Sequence, residues 1–242
     1  MNVYRALRRG TIFRAMTGHE PFVWVKRQPG VQEFGSKYGR WAIDTRGLKN
    51  TTVIASFGLG EDVSFEDAVA ARFGCRVVGF DPTPRSVHYL KERKSEATIT
   101  HLPFALACTD GFIEFSAPPD DAADQVSASS VASYGTCART RFEVPCRTLP
   151  SALAEAGVSS IEVLKLDVEG AEYEVLNSAA ERGWLAGVQQ ILVEFHHFLP
   201  GLHADQTREA IRLLRKLGFV IAWVGRTNHE YLFVRAEPGS RR

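Results

Sequence analysis

The chain has 242 residues, 45% of them apolar and 24% charged, the balance of an ordinary globular domain. That excludes a mainly disordered tail, a collagen-like rod and a disulfide-knotted miniprotein, and leaves one elaborated domain or at most two. The formal charge of +1 is unevenly placed: residues 1–50 carry 10 basic and 3 acidic side chains, net +7, and residues 51–242 carry 19 and 25, net −6.

The four cysteines, Cys75, Cys108, Cys137 and Cys146, form no C-x-x-C pair. A zinc ribbon is therefore not expected, and the count suits a reducing compartment. No apolar run reaches the roughly 18 residues of a membrane-spanning helix, and no continuous apolar stretch separates the N-terminal arginines. The expected location is the cytoplasm. The near-neutral sum gives no reason to expect a nucleic-acid partner.

Residues 1–50 read as a basic lead-in or cap. Arg5, Arg8, Arg9 and Arg14 alternate with Tyr4, Leu7, Ile12 and Phe13, which predicts a short amphipathic helix. Gly and Pro then punctuate a loop-rich stretch from Gly18 to Gly39. The charge suits ordinary surface against the acidic remainder, or a cap that draws an anionic acceptor or a membrane surface.

A regular alternation starts at residue 51. Val53–Phe57 is a buried-type strand ended by Gly58-Leu59-Gly60. A helix follows, with Ser64 and Asp67 as a near capping box. Arg76–Phe80 is a second strand ending at Asp81, residues 84–95 suit a helix, and Leu102–Cys108 suits a third strand ending before Asp110. Residues 116–140 break the rhythm and predict a flexible insertion, either a surface loop or a lid. Phe112–Phe115 and Phe142–Pro145 flank it as a possible hairpin. Leu149, Leu153 and Ala156 mark a helix, Ile161–Leu166 a strand, Val175 to Ala180 a helix, and Val188–Phe195 a strand. An amphipathic helix runs through Ala210 to Leu217 with Gly218 at its C-terminal end. Phe219–Val224 and Tyr231–Val234 read as a closing antiparallel pair. The whole is an α/β fold: a mostly parallel sheet with helices on both faces.

The polar residues fall at the predicted strand ends, where open parallel sheets bind ligands. Gly58 and Gly60 let the backbone approach a ligand after strand one. Val63 stands where a third glycine would complete the dinucleotide fingerprint. Asp81, 21 residues after Gly60, can accept from ribose hydroxyls, which together with the turn suggests an adenosine-containing ligand; helix capping is the plain alternative. In Leu164-Lys165-Leu166-Asp167-Val168-Glu169-Gly170-Ala171-Glu172, alternation puts Lys165, Asp167 and Glu169 on one side. A structural Lys–Asp pair is the plain alternative there, and Glu172 reads as a first-turn helix residue. In Glu194-Phe195-His196-His197, a histidine is a general base, a structural residue or a metal ligand beside Asp167, Glu169 or Glu194.

These stretches resemble the FkbM-type methyltransferases: Val78 to Pro84, "LKLDVEGAE" at 164–172, "LVEFHH" at 192–197, Arg147-Thr148-Leu149 and Glu230 to Val234. The resemblance covers residues 50–235. It implies a Rossmann-like, class I methyltransferase fold with a seven-stranded sheet and an antiparallel last strand, spanning residues 51–242. It implies S-adenosyl-L-methionine as cofactor and methyl transfer, most often to oxygen, on a small-molecule or glycan acceptor. By position, Gly58 and Gly60 would pass the methionine part, Asp81 would hold the ribose, and Asp110 would lie near the adenine. Asp167 and Glu169 would line the space between cofactor and acceptor. His196 is the candidate base, with Glu194 beside it. Ser56 departs from the acid that many class I enzymes carry two residues before the first glycine, and Glu61 or Asp62 would supply that carboxylate. A divalent metal is an optional addition. A nicotinamide-dependent oxidoreductase and a non-catalytic module of the same fold are the competing readings.

Overall fold

A computed structural model describes residues 17–93, 99–117 and 140–236. Twelve strands and five helices are seen among them. The predicted amphipathic helix, Cys137 and most of the 116–140 insertion lie outside the described residues.

The centre is a seven-stranded sheet. Its strands are β3 (Val53–Phe57), β4 (Arg76–Phe80), β5 (Ile99–Leu102), β9 (Val163–Leu166), β10 (Gln190–Glu194), β11 (Phe219–Val224) and β12 (Glu230–Arg235). They lie in the order β11-β12-β10-β9-β3-β4-β5. The pairs β3–β4, β4–β5, β3–β9 and β9–β10 are parallel, and β12 is antiparallel to both neighbours. The expected sheet, with its antiparallel last strand, is the one observed.

Strand alternation divides the apolar side chains between two faces. Ala55, Phe57, Val78, Phe80, Leu164, Leu166, Ile191 and Val193 join one core cluster, and Ile54, Val77, Val163 and Leu192 join the other. The first face is covered by α3 (Leu149–Glu155), α4 (Glu172–Glu181) and α5 (Ala204–Lys216). The second is covered by α1 (Ser64–Phe73), through Phe65 and Val69, and by a hairpin. That hairpin is β1 (Val31–Phe34) with β2 (Trp41–Asp44), paired antiparallel. It was not anticipated, because Gly30, Gly35 and Gly39 read as loop punctuation. All four residues of β2 are buried, so part of the basic lead-in is core. Gln190 fixes it: its amide accepts from Asp44 N at 2.8 Å and donates to Asp44 O at 2.7 Å.

Other local expectations change. The predicted third strand splits at Pro103, which has no N–H for the ladder. Ile99–Leu102 ends in the main sheet, whereas β6 (Ala105–Leu106) pairs with β8 (Thr140–Arg147). β8 also pairs antiparallel with β7 (Gly111–Ala117), with Phe112 opposite Pro145 and Phe115 opposite Phe142, which is the expected hairpin. The second predicted helix is α2 (Pro84–Glu92), shorter than expected. The near capping box is not formed: α1 starts at Ser64, and the Ser64 hydroxyl accepts from Ser36 N instead.

Candidate active site

A cavity of about 610 Å³ opens at the carboxyl ends of β3, β4, β9 and β10, within the size range of small-molecule sites. It is lined by the glycine turn, Asp81, Ser86, Asp167, Glu169, Glu194 and His196, and by Tyr38, Trp41, Phe198 and Glu230. Glu61 also reaches it.

The glycine turn is set by close packing. Gly58 has φ +80°, and a Cβ there would lie 1.7 Å from the Asp167 carbonyl oxygen, so no other residue fits. Gly60 has φ +56° and nothing within 4 Å of its missing Cβ, which leaves its face open to a ligand. Beneath the turn, Lys165 donates to Gly58 O at 2.9 Å and lies 3.4 Å from Glu66. Glu66 also accepts from the Ser56 hydroxyl at 2.6 Å. Lys165 therefore has Glu66 as its carboxylate partner, not Asp167. The buried acid near Ser56 comes from α1, a feature with no marker in the strand's own sequence.

Asp81 is buried and braces the turn. One carboxylate oxygen accepts from Leu59 N and Gly60 N at 3.0 and 2.9 Å. The other accepts from Thr83 N and its hydroxyl at 2.9 and 2.7 Å. Four donors match the acceptor capacity of a carboxylate, so a ribose hydroxyl would compete with the Thr83 hydroxyl. Ser86 on α2 is different: its hydroxyl is buried, lines the cavity, and has no hydrogen-bond partner among the described residues. Such an atom fits a polar ligand.

Glu61 pairs with Arg85 at 2.8 Å. Asp62 accepts from the Ser36 hydroxyl at 2.5 Å, Gly39 N at 3.1 Å and Ser64 N at 2.9 Å. These bonds hold its carboxyl below its usual pKa despite partial burial, and they latch the β1–β2 loop, with Tyr38, beside the cavity mouth. Asp110 is not among the lining residues. Its carboxylate accepts from Thr148 N and the Ser151 hydroxyl, both at 2.7 Å, and so clamps the start of α3.

Across the cavity from the glycine turn, β9 and β10 present an acidic cluster. His196 is 3% exposed. Its Nδ1 lies 3.3 Å from Glu172, and its Nε2 lies 3.5 Å from Glu169 and 3.8 Å from Asp167. Glu172 also accepts from His196 N at 2.8 Å and Gly170 N at 2.9 Å. Burial alone would lower the His196 pKa; the Glu172 hydrogen bond and the charges of Glu172, Glu169 and Glu194 outweigh it and push it up to about 10. Burial, then the charge of Asp167, pushes the Glu194 carboxyl well above the usual range. Burial likewise raises Asp167, against the opposing charges of Lys165 and His196. Glu169 has φ +52°, uncommon for a non-glycine residue, and this turns its side chain toward His196.

The expected residues Gly58, Gly60, Glu61, Asp81, Asp167, Glu169, Glu194 and His196 thus share one cavity. Sequence reasoning missed Ser86, Tyr38, Trp41 and Glu230, and it underrated Glu172, which is fully buried. The aromatic pair in Tyr38-Gly39-Arg40-Trp41 was the available sign of a ligand-side loop.

The sheet order and glycine turn define a class I methyltransferase-type α/β domain. The methyltransferase FkbM domain matches residues 53–221, and the chain belongs to that methyltransferase family. Two curated relatives, "Probable methyltransferase-like protein 24" of Rattus norvegicus and of Homo sapiens, are each 28% identical over 156 residues. The match covers 64% of this chain and spans about a third, 36%, of their length. Among solved structures, a fibrillarin pre-rRNA processing protein of Methanococcus jannaschii gives a TM-score of 0.47 at 13% identity, covering 79% of this chain and 69% of its own. The Aeropyrum pernix fibrillarin, solved with bound S-adenosyl-L-methionine, gives 0.43 at 10% identity, covering 86% and 83%. No helix among the described residues is long and apolar enough to cross a membrane.

Proposed function

We propose that the chain transfers a methyl group from S-adenosyl-L-methionine to a hydroxyl of a small molecule or glycan. The observation that carries this reading is the acidic cluster standing across one cavity from the glycine turn. When bound, the cofactor supplies an activated methyl group. The protein then has to align the acceptor and take its proton.

Gly60 offers an open face to the cofactor and the buried Ser86 hydroxyl an unpartnered polar group, and Asp81 keeps the turn in shape. Glu194 is the proton acceptor in this account, in place of His196. Both ring nitrogens of His196 face carboxylates, so the imidazole has no free lone pair for a substrate and serves to position Asp167 and Glu169. The Glu194 carboxylate lines the cavity and makes no hydrogen bond or salt bridge among the described residues. Its raised pKa brings it closer to the neutral range, where a general base works best.

Glu194→Gln is expected to lower kcat by about 10²–10⁴-fold while binding of the demethylated cofactor stays unchanged. Full turnover in that variant would remove Glu194 from the role. One observation favours a second reading, a module that keeps the fold without catalysis: both oxygens of Asp81 are already engaged. A calorimetric titration together with a methyl-transfer assay across an acceptor panel separates the two, because that module would give no cofactor heat or would bind without transfer.

A further inference from the structure

His197 points away from the cavity into a second cluster that the methyl-transfer reading does not use. Its Nε2 lies 3.0 Å from Glu20 Oε2, and His229 Nε2 lies 3.9 Å from Glu20 Oε1. One ligand atom from each of the three residues falls within 4.8 Å of the others. Around a tetrahedral zinc ion with bonds of about 2.1 Å, ligand atoms stand roughly 3.4 Å apart, and the two histidines approach the two Glu20 oxygens at distances on either side of that spacing. Two imidazoles and one carboxylate are a donor set for zinc and similar transition metals, not for magnesium or calcium.

The surroundings match a ligand set. Thr207 Oγ1 lies 3.1 Å from His197 Nδ1; a proton on Nδ1 leaves the Nε2 lone pair facing Glu20, the outer-shell arrangement typical of metal-binding histidines. Asn228 Nδ2 donates to Glu20 Oε2 at 3.0 Å and orients that carboxylate. A cavity of about 410 Å³, lined by His19, His197, His203 and Asp205 among others, adjoins the cluster at His197.

We propose that Glu20, His197 and His229 bind one zinc-type divalent ion that fastens the segment around residue 20 to the end of the central sheet. Glu20 is 177 residues from His197 in the chain, so the ion closes a long loop, and the described part of the basic lead-in is held as part of the body. The alternative occupancy is none: a hydrogen-bonded Glu20–His197 pair that needs no metal.

The test is a calorimetric titration of the chelator-stripped full chain with zinc chloride alone. The expected result is one ion per chain with a Kd below about 1 µM, in keeping with structural zinc sites, and a rise in Tm on loading. His229→Ala, at the more exposed ligand, weakens binding at least a hundredfold. Thr207→Val, which leaves all three ligands in place, weakens it by about 10–100-fold. Glu169→Gln, in the cavity cluster, leaves zinc affinity unchanged. Absence of binding would overturn the proposal, as would binding indifferent to His229→Ala and Thr207→Val, or binding removed by Glu169→Gln.

Discussion

His196 and His197 are neighbours in sequence, yet they serve two different polar compartments. His196 meets Glu172, Glu169 and Asp167 at the edge of a cavity wide enough for a ligand. His197 meets Glu20 and Thr207 in the interior. The chain leaves β10 extended, so successive side chains point opposite ways. Carboxylates outnumber bases in the first compartment; burial raises the pKa of Glu194 and Asp167 there, and the neighbouring carboxylate charges add to it. In the second, one carboxylate is shared among two histidines and an amide. An over-supply of buried carboxylates is costly to the fold and suits proton transfer; a matched set suits a clamp.

Removing the groups that hold each histidine tests the contrast most severely. Glu172→Ala strips His196 of its Nδ1 partner and leaves His196 N and Gly170 N without an acceptor in the interior. It should cost about 3–5 kcal/mol, read from denaturant unfolding. A loss below 1 kcal/mol would show that Glu172 is not the keystone of the cavity cluster. Glu20→Ala in metal-stripped protein removes the carboxylate partner of His197 and one of the two acceptors of Asn228 Nδ2, and should cost about 2 kcal/mol. If it equals the Glu172→Ala loss, the two compartments are alike in energy and the contrast fails.

The pH response gives a smaller effect. The folded-state pKa of Glu194 lies above its ordinary value of 4.5, so the folded chain takes up this proton more readily than the unfolded chain. Stability gains this contribution as pH falls from neutrality toward 4.5, and loses it as pH rises again. Glu194→Gln should remove that part of the pH dependence, measured as Tm against pH; an unchanged profile would place the acidic strain elsewhere. The smallest effect is expected at Asp110: Asp110→Asn should leave affinity for the demethylated cofactor within about twofold, because the side chain clamps α3 outside the cavity. A large loss of affinity would bring Asp110 back to the site.

The strands and the glycine turn were legible because buried parallel strands are continuous apolar runs and Gly58-Leu59-Gly60 ends one of them. Placing Asp81, Asp167, Glu194 and His196 along one sheet edge followed from topology alone. What was not legible depends on contacts distant in sequence. Glu172 is the first-turn helix residue expected, but its bond to His196, 24 residues away, could not be read locally. Glu66, the acid that meets Ser56 and Lys165 beneath the turn, comes from a helix that showed no sign of it. β1 and β2 are short, and their burial comes from docking on the sheet, so local pattern could not announce it. Asp110 shows the converse: a strand-end carboxylate that the family resemblance placed near the adenine bonds the neighbouring helix start. The +1 total conceals the same division, for the basic lead-in contributes Trp41 and Ile43 to the core and Glu20 to the second histidine cluster.

The central claim is that the cavity holds the S-adenosyl cofactor against the glycine turn. A calorimetric titration of S-adenosylhomocysteine into wild type and Gly60→Val tests it most directly. The account predicts one molecule bound per chain by wild type. It predicts loss of that binding in Gly60→Val, where a β-branched side chain is forced into φ +56° and into the open face of the turn. No heat with wild type, or equal affinity in both proteins, would contradict it.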